Sequence, residues 1–269
     1  MWKNRRVVVL LALAATLPSL AVPVAGAVEG ELMMAGWEEV LKRFVTADAE
    51  VRYAALKADP AQLDGFLADL AAADPAEFAR WREAERIALW LNAYNAITLK
   101  TIIDHYPIRA SGLAALRYPA SSIRQISGAW SRRRWTVLRR TMSLDDIEHE
   151  TLRRQFAEPR IHMALVCAAR GCPPLRREPY RGDQLEEQLA DQARRYLGSP
   201  AGLQLLADGR RVAISEIFKW FSADFGGPAG VRAFLLRYAP VAARAALAGE
   251  ATKVTYLNYD WRLNDADGE

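Results

Sequence analysis

The 269-residue chain is poor in the side chains that most often carry chemistry, with two cysteines and three histidines in all. So few cysteines exclude a small scaffold stapled by several disulfides, and none of the paired spacings of a structural zinc site appears. The two cysteines, Cys167 and Cys172, stand five positions apart rather than as Cys-x-x-Cys, and no strand-helix-strand alternation surrounds them. That leaves thiol-disulfide exchange as a minor reading and a metal site as a weaker one. Internal repeats and low-complexity tracts are missing too, which excludes solenoids and disordered linkers.

The first residues read as a secretory leader. Lys3, Arg5 and Arg6 precede the apolar run Val7 to Leu13, and Ala25-Gly26-Ala27 supplies small residues for cleavage. The apolar core is shorter than the ~20 residues a membrane span needs, so no stable membrane insertion is expected once the leader is removed. With no cysteine at the cleavage position, a lipid anchor is not expected either. The formal charge of +4 falls to +1 without the three leader cations, and we read no nucleic-acid partner into it. Residues 28–269 are long enough to bury a core without metal or multiple disulfides. The expectation is a 1–27 signal peptide and one exported domain, periplasmic or extracellular.

Along that domain the apolar spacing predicts helices over residues 36–46, from Asp59-Pro60, from Asp74-Pro75, and over 183–197, 216–221, 229–238 and 240–247. The helix from about Arg82 to His105 has almost no polar face in its middle, so it should be nearly surrounded. Asn92 and Asn95 lie inside it and either tie down a loop or a neighbouring backbone, the favoured reading, or face a substrate, with Asn92 a candidate to bind an oxyanion. His105 reads as a helix-end histidine. Thr136 to Leu138 and Val254 to Leu257 read as strands, Leu203 to Ile214 as a hairpin around Asp208-Gly209, and Phe218, Trp220 and Phe221 as core anchors. The tail from Asn264 should be loose. Arg132-Arg133-Arg134 between two tryptophans reads as a contact for an anionic ligand or, at least as readily, as a solvated face packed against indole, and carries no functional weight. The fold class is α+β, predominantly helical, with a small antiparallel sheet around a central buried helix.

The candidate site comes from three places. Ser143 caps a helix on which Glu148 falls within the apolar arc of Leu144, Ile147, Thr151, Leu152 and Phe156, with His149 at its edge. A carboxylate on a buried face needs a partner. Ile161 to Val166 reads as extended, which sets His162 and Cys167 on opposite faces unless the strand breaks before the cysteine. Cys167 and Cys172 could also close a short bridged turn.

Trp90-Leu91-Asn92-Ala93-Tyr94-Asn95-Ala96, Ser143 to His149, Arg160 to Leu165, Cys172-Pro173-Pro174, Ile217 to Trp220 and Tyr259-Asp260-Trp261 occur in an order that resembles the family catalogued as domain of unknown function 547, over about Trp37 to Asn264. The resemblance implies shared positions at Glu148, His162 and Cys167, with variation among relatives at those of His149 and Cys172. It tilts the choice of nucleophile towards Cys167, although some relatives lack a cysteine there. One reading is therefore a cysteine-dependent hydrolase or acyl transferase, with Cys167 as nucleophile, His162 as base and Glu148 orienting the imidazole. The other is a noncatalytic binding module in which Glu148 and His162 pair structurally, Cys167 and Cys172 are bridged, and an aromatic surface takes a peptide, a glycan or a small molecule. Neither reading calls for a cofactor or a metal.

Overall fold

A helix without a polar face has to be covered on all sides, and Glu83–Ile103 is: every side chain from Ile87 to Leu99 is buried. The computed structural model describes the backbone of residues 25–207, 211–249 and 252–268, with side chains from residue 34 onward. The expected leader therefore lies almost wholly outside the described residues. Helices Ala25–Phe44, Ala61–Ala72 and Leu185–Leu197 pack around the central one. Trp37 stacks on Phe66 at 5.6 Å, and its indole N–H donates to Asn92 Oδ1 at 3.1 Å, so one buried amide orders the first layer.

A second apolar cluster, built on Phe218, Phe234, Leu235 and Leu247, joins the first through Leu185–Leu197, whose N-terminal leucines face the first cluster and whose Tyr196 and Leu197 face the second. Strands are few. Trp135–Val137 pairs antiparallel with Arg140–Met142, and Leu203–Leu205 pairs antiparallel with Arg211–Ile214. The turn at Asp208-Gly209 lies outside the described residues. Lys253–Tyr256 adds to Arg211–Ile214 in parallel, because helices Gly227–Tyr238 and Val241–Ala248 carry the chain back before it re-enters the sheet. The architecture is thus the expected α+β fold, mostly helical, with small sheets.

Three local expectations change. Ile161 to Val166 is not a strand: Pro159–Met163 is a 3-10 turn, begun by Pro159 and capped by Glu158, whose carboxylate accepts from the Arg160 amide at 3.0 Å. Trp220 is not a core anchor, being 44% exposed. The tail is not loose at its start. Asn264 and Asp265 are buried; Tyr53 donates to Asn264 Oδ1 at 2.7 Å and Tyr106 to Asp265 Oδ2 at 2.8 Å. Among the described residues, no helix is long and apolar enough to cross a membrane.

Candidate functional site

The central helix positions the site through its two amides. Asn95 donates to the Ala164 carbonyl at 3.0 Å and accepts from the Val166 amide at 2.9 Å; Asn92 does the same for both backbone groups of Tyr180, at 2.8 and 2.9 Å. Both amides are therefore structural ties, as their burial required. Asn95 holds the chain between His162 and Cys167. Beyond it, Ala168 turns in the left-handed region at φ 61, and Arg170 and Gly171 donate to the carbonyls of Arg262 and Asp260. Gly171 sits so close that a Cβ there would meet the Asp260 nitrogen at 2.9 Å, so glycine is needed to dock this turn on residues 259–263.

Ser143 opens the Glu148 helix as expected: its hydroxyl accepts from the Asp146 amide at 3.1 Å, and Asp146 accepts in return from the Ser143 amide at 2.9 Å. Its middle is unexpected. Asp146–Leu152 is a π-helix, in which the Arg153 amide donates to the Glu148 carbonyl, and the Thr151 hydroxyl satisfies the Asp146 carbonyl at 3.0 Å. Such turns are rare and often lie at functional sites. The wider turn leaves Glu148 buried at 8% exposure, where Tyr94 donates to its Oε2 at 3.2 Å. Burial pushes the Glu148 carboxyl up to about 7, against the opposing Tyr94 hydrogen bond and the charge of Arg153.

Glu148 and His162 do come together, with His162 Nδ1 3.9 Å from Glu148 Oε1. The strong partner of His162 is Asp224, whose Oδ2 lies 2.7 Å from Nε2. Asp224 is itself held by Arg153 through two bonds of 2.6 and 2.9 Å, which keep its carboxyl down at about 2. Burial drives His162 down to about 4 despite Asp224, so the ring is neutral near pH 7. An ionised carboxylate only accepts, so the proton sits on Nε2 and Nδ1 keeps a lone pair facing Glu148. Nδ1 is buried without a hydrogen-bond partner among the described residues. Phe221 stacks on the ring at 3.9 Å. His149, only half-buried, lies beside Arg153, and burial together with that charge lowers its pKa. His105 is a helix-end histidine, donating from Nδ1 to the Thr101 carbonyl at 2.8 Å.

The cysteine triad is overturned. Cys167 and Cys172 form a disulfide across a Cα separation of 6.2 Å, and no cysteine is free. The polar neighbour of Cys167 Sγ is the Tyr259 hydroxyl, at 3.2 Å, rather than the imidazole. Since a disulfide sulfur has no proton, Tyr259 donates to both sulfurs, reaching Cys172 Sγ at 3.1 Å. The 3-10 turn and the Asn95 clasp supply the break before Cys167 that the triad required, yet the sulfur lies against Tyr259 and is bonded to Cys172. Among the described residues, no group of three His, Cys, Asp or Glu side chains is placed to hold a metal.

Around this floor lies an aromatic ledge. Tyr259 packs 4.8 Å from Trp220 and 4.7 Å from Trp261, and Trp261 meets Trp130 at 6.4 Å. Tyr259 is also within electrostatic reach of Glu148. Tyr259 also borders a recess of about 430 Å³ lined by Gln204, Ser215, Glu216, Asn258 and Asp260. Asp224 and Arg153 were not singled out from sequence, and Tyr94 and Tyr259 stood only within the quoted motifs, without a role. The signal for Asp224 was its place between Phe221 and Phe225, an acid inside an aromatic cluster.

Residues 78–197, about 45% of the chain, match the family described as "Protein of unknown function, DUF547". The similarity expected from Trp37 to Asn264 is thus narrower than the motifs suggested. It takes in the central helix, Glu148, His162 and the disulfide, and ends with helix Leu185–Leu197, before Asp224, Trp220 and Tyr259. No curated protein and no solved structure matches the chain.

Proposed function

We propose that this chain is a noncatalytic binding module that takes a short saccharide against the aromatic ledge and the adjoining recess. The observation that carries the reading is Trp220, an indole left 44% exposed although it packs against Tyr259 and Trp261. A sugar ring has an apolar face of C–H groups that stacks on such a surface, and hydroxyls that need hydrogen-bonding groups at the edge. The recess offers both carboxylates and amides, from Glu216, Asp260, Gln204 and Asn258. Its volume lies within the ~300–1,000 Å³ usual for small-ligand sites. The disulfide then acts as a brace that seats Tyr259. The disulfide fits an oxidising compartment and so an exported protein whose domain spans residues 28–269.

The test is calorimetric titration with cellotriose, chitotriose and maltotriose, with tripeptides as comparison. We expect at least one trisaccharide to bind and Trp220→Ala to weaken it by about tenfold, the scale of one lost stacking contact. The proposal fails if no trisaccharide binds, or if the Trp220→Ala protein binds as tightly as the wild type.

A further inference from the structure

A second surface adjoins the ledge at Trp130 and Trp261 and extends from there to the turn Gly112–Leu116. Between Asp104 and Asp145 the sequence holds eight arginines and no acidic residue. Within that stretch the 3-10 turn Gly112–Leu116 presents Leu113 and Leu116, each 86% exposed, the most exposed large apolar side chains among the described residues. Arg109 and Arg117 flank the turn and are exposed, as is Arg132 nearby. Among the described residues none of these three has a carboxylate partner, whereas Arg134 is paired with Asp146 at 2.5 Å.

The turn is pinned in place. Gln125, itself buried, accepts from the Ser111 amide at 3.1 Å and donates to the carbonyls of Ala114, Tyr118 and Pro119 at 3.3, 3.1 and 3.0 Å. One side chain thus fastens both ends of the turn and aims two leucines at solvent, where alone they are unfavourable. Behind Leu113 lies a recess of about 510 Å³ lined by Arg124, Arg132, Ser127 and Ser131. The Arg124 guanidinium is set among Tyr118, Trp130 and Trp261, with ring centroids at 4.5, 5.6 and 4.8 Å.

We propose that this face docks reversibly on an anionic phospholipid bilayer. Leu113 and Leu116 enter the boundary between headgroups and acyl chains, and Arg109, Arg117 and Arg132 meet the lipid phosphates. Paired protruding apolar side chains within a ring of unpaired cations fit that partner on both counts, since apolar burial and phosphate attraction add at an interface. An acidic protein would answer the arginines and leave the preorganised leucines unexplained.

The full chain is floated with phosphatidylcholine vesicles that contain or lack phosphatidylglycerol, at low and high salt. We expect partition onto the anionic vesicles alone, weakened by salt. It falls by about tenfold or more in Leu113→Ser/Leu116→Ser, and Arg117→Gln/Arg132→Gln has a shallower salt dependence. These positions are solvent-exposed, so circular dichroism should show unchanged folding. The N-terminal segment is common to all variants, so only ratios between them are read. Hydrogen exchange adds a local readout: residues 112–117 gain protection on anionic vesicles. Equal partition of wild type and the double leucine variant overturns the proposal. So does equal binding to neutral and anionic vesicles, or unaltered exchange in residues 112–117.

Discussion

Replacing Glu148 by glutamine separates the ionisation of this carboxyl from its packing. The side chain is buried, and its pKa is pushed from an ordinary carboxylate value up to about 7, burial being the largest cause. In the folded protein it therefore keeps a proton through a range where the unfolded chain has lost it. Stability from this group is full below the unfolded value and is lost as pH rises towards 7. The displacement corresponds to about 3 kcal/mol of instability at alkaline pH, and to under ~1 kcal/mol near pH 5. Glutamine fits the same space, still accepts from the Tyr94 hydroxyl, and has no charge to desolvate. The stability of Glu148→Gln relative to wild type should thus grow by about 2 to 3 kcal/mol between pH 5 and pH 8, or roughly 4–12 °C in Tm for a chain of this size. His162 is neutral in the folded protein across this pH range, so its contribution comes from the unfolded chain and cancels in the difference. Paired urea melts at the two pH values provide the assay. A difference that does not change with pH refutes the assignment of Glu148 as a buried, proton-holding acid.

The histidine makes the complementary prediction: long-range proton-nitrogen spectra should show His162 as the Nε2–H tautomer near neutral pH, charging only as pH falls towards about 4. Its contribution is full above the unfolded histidine value and lost as pH falls to that point, opposite in sign to Glu148. A ring protonated on both nitrogens at pH 6.5 would contradict its burial. For the bridge, Cys167→Ser/Cys172→Ser should lower stability by only about 2 kcal/mol, as expected for so short a loop. Thiol titration of the native protein should find no reactive group, and a free Cys167 there would reopen the question of what the turn is for.

Elements whose apolar period ran long were legible in the sequence: Glu83–Ile103 and Leu185–Leu197 lie where their stripes placed them. Glu148 was legible for the same reason, since a charge inside an apolar arc is visible in one dimension. The stretch around His162 was not. The run Ile161 to Val166, five apolar or small residues and His162, fits a strand by periodicity, but Pro159 and the Glu158 cap favour a tight turn, and Asn95 from a distant helix takes up the backbone groups a sheet partner would otherwise bond. Trp220 failed differently. Its spacing beside Phe218 suggested burial, yet the helix Ile217–Trp220 is a single turn, too short for its pattern to define a face. Asp224 and Tyr259 stand in recognisable surroundings, but they lie 62 and 92 residues from His162 and Cys167, so the pairing itself leaves no local signature.

Those partners also bear on what the matched segment, residues 78–197, can hold by itself. His162, Arg153 and Glu148 fall within residues 78–197, whereas the carboxylate that fixes the His162 tautomer and neutralises Arg153 falls outside. Without Asp224, the His162 Nε2–H would lose its acceptor, and the half-buried Arg153 would lose the carboxylate that it bonds through two nitrogens. Each of those losses costs about 1–3 kcal/mol or more. The arrangement of this site therefore depends on the turn Ser222–Phe225 closing over the matched segment. A chain sharing only residues 78–197 with this one needs another acceptor at the Asp224 position, or a different environment for its histidine.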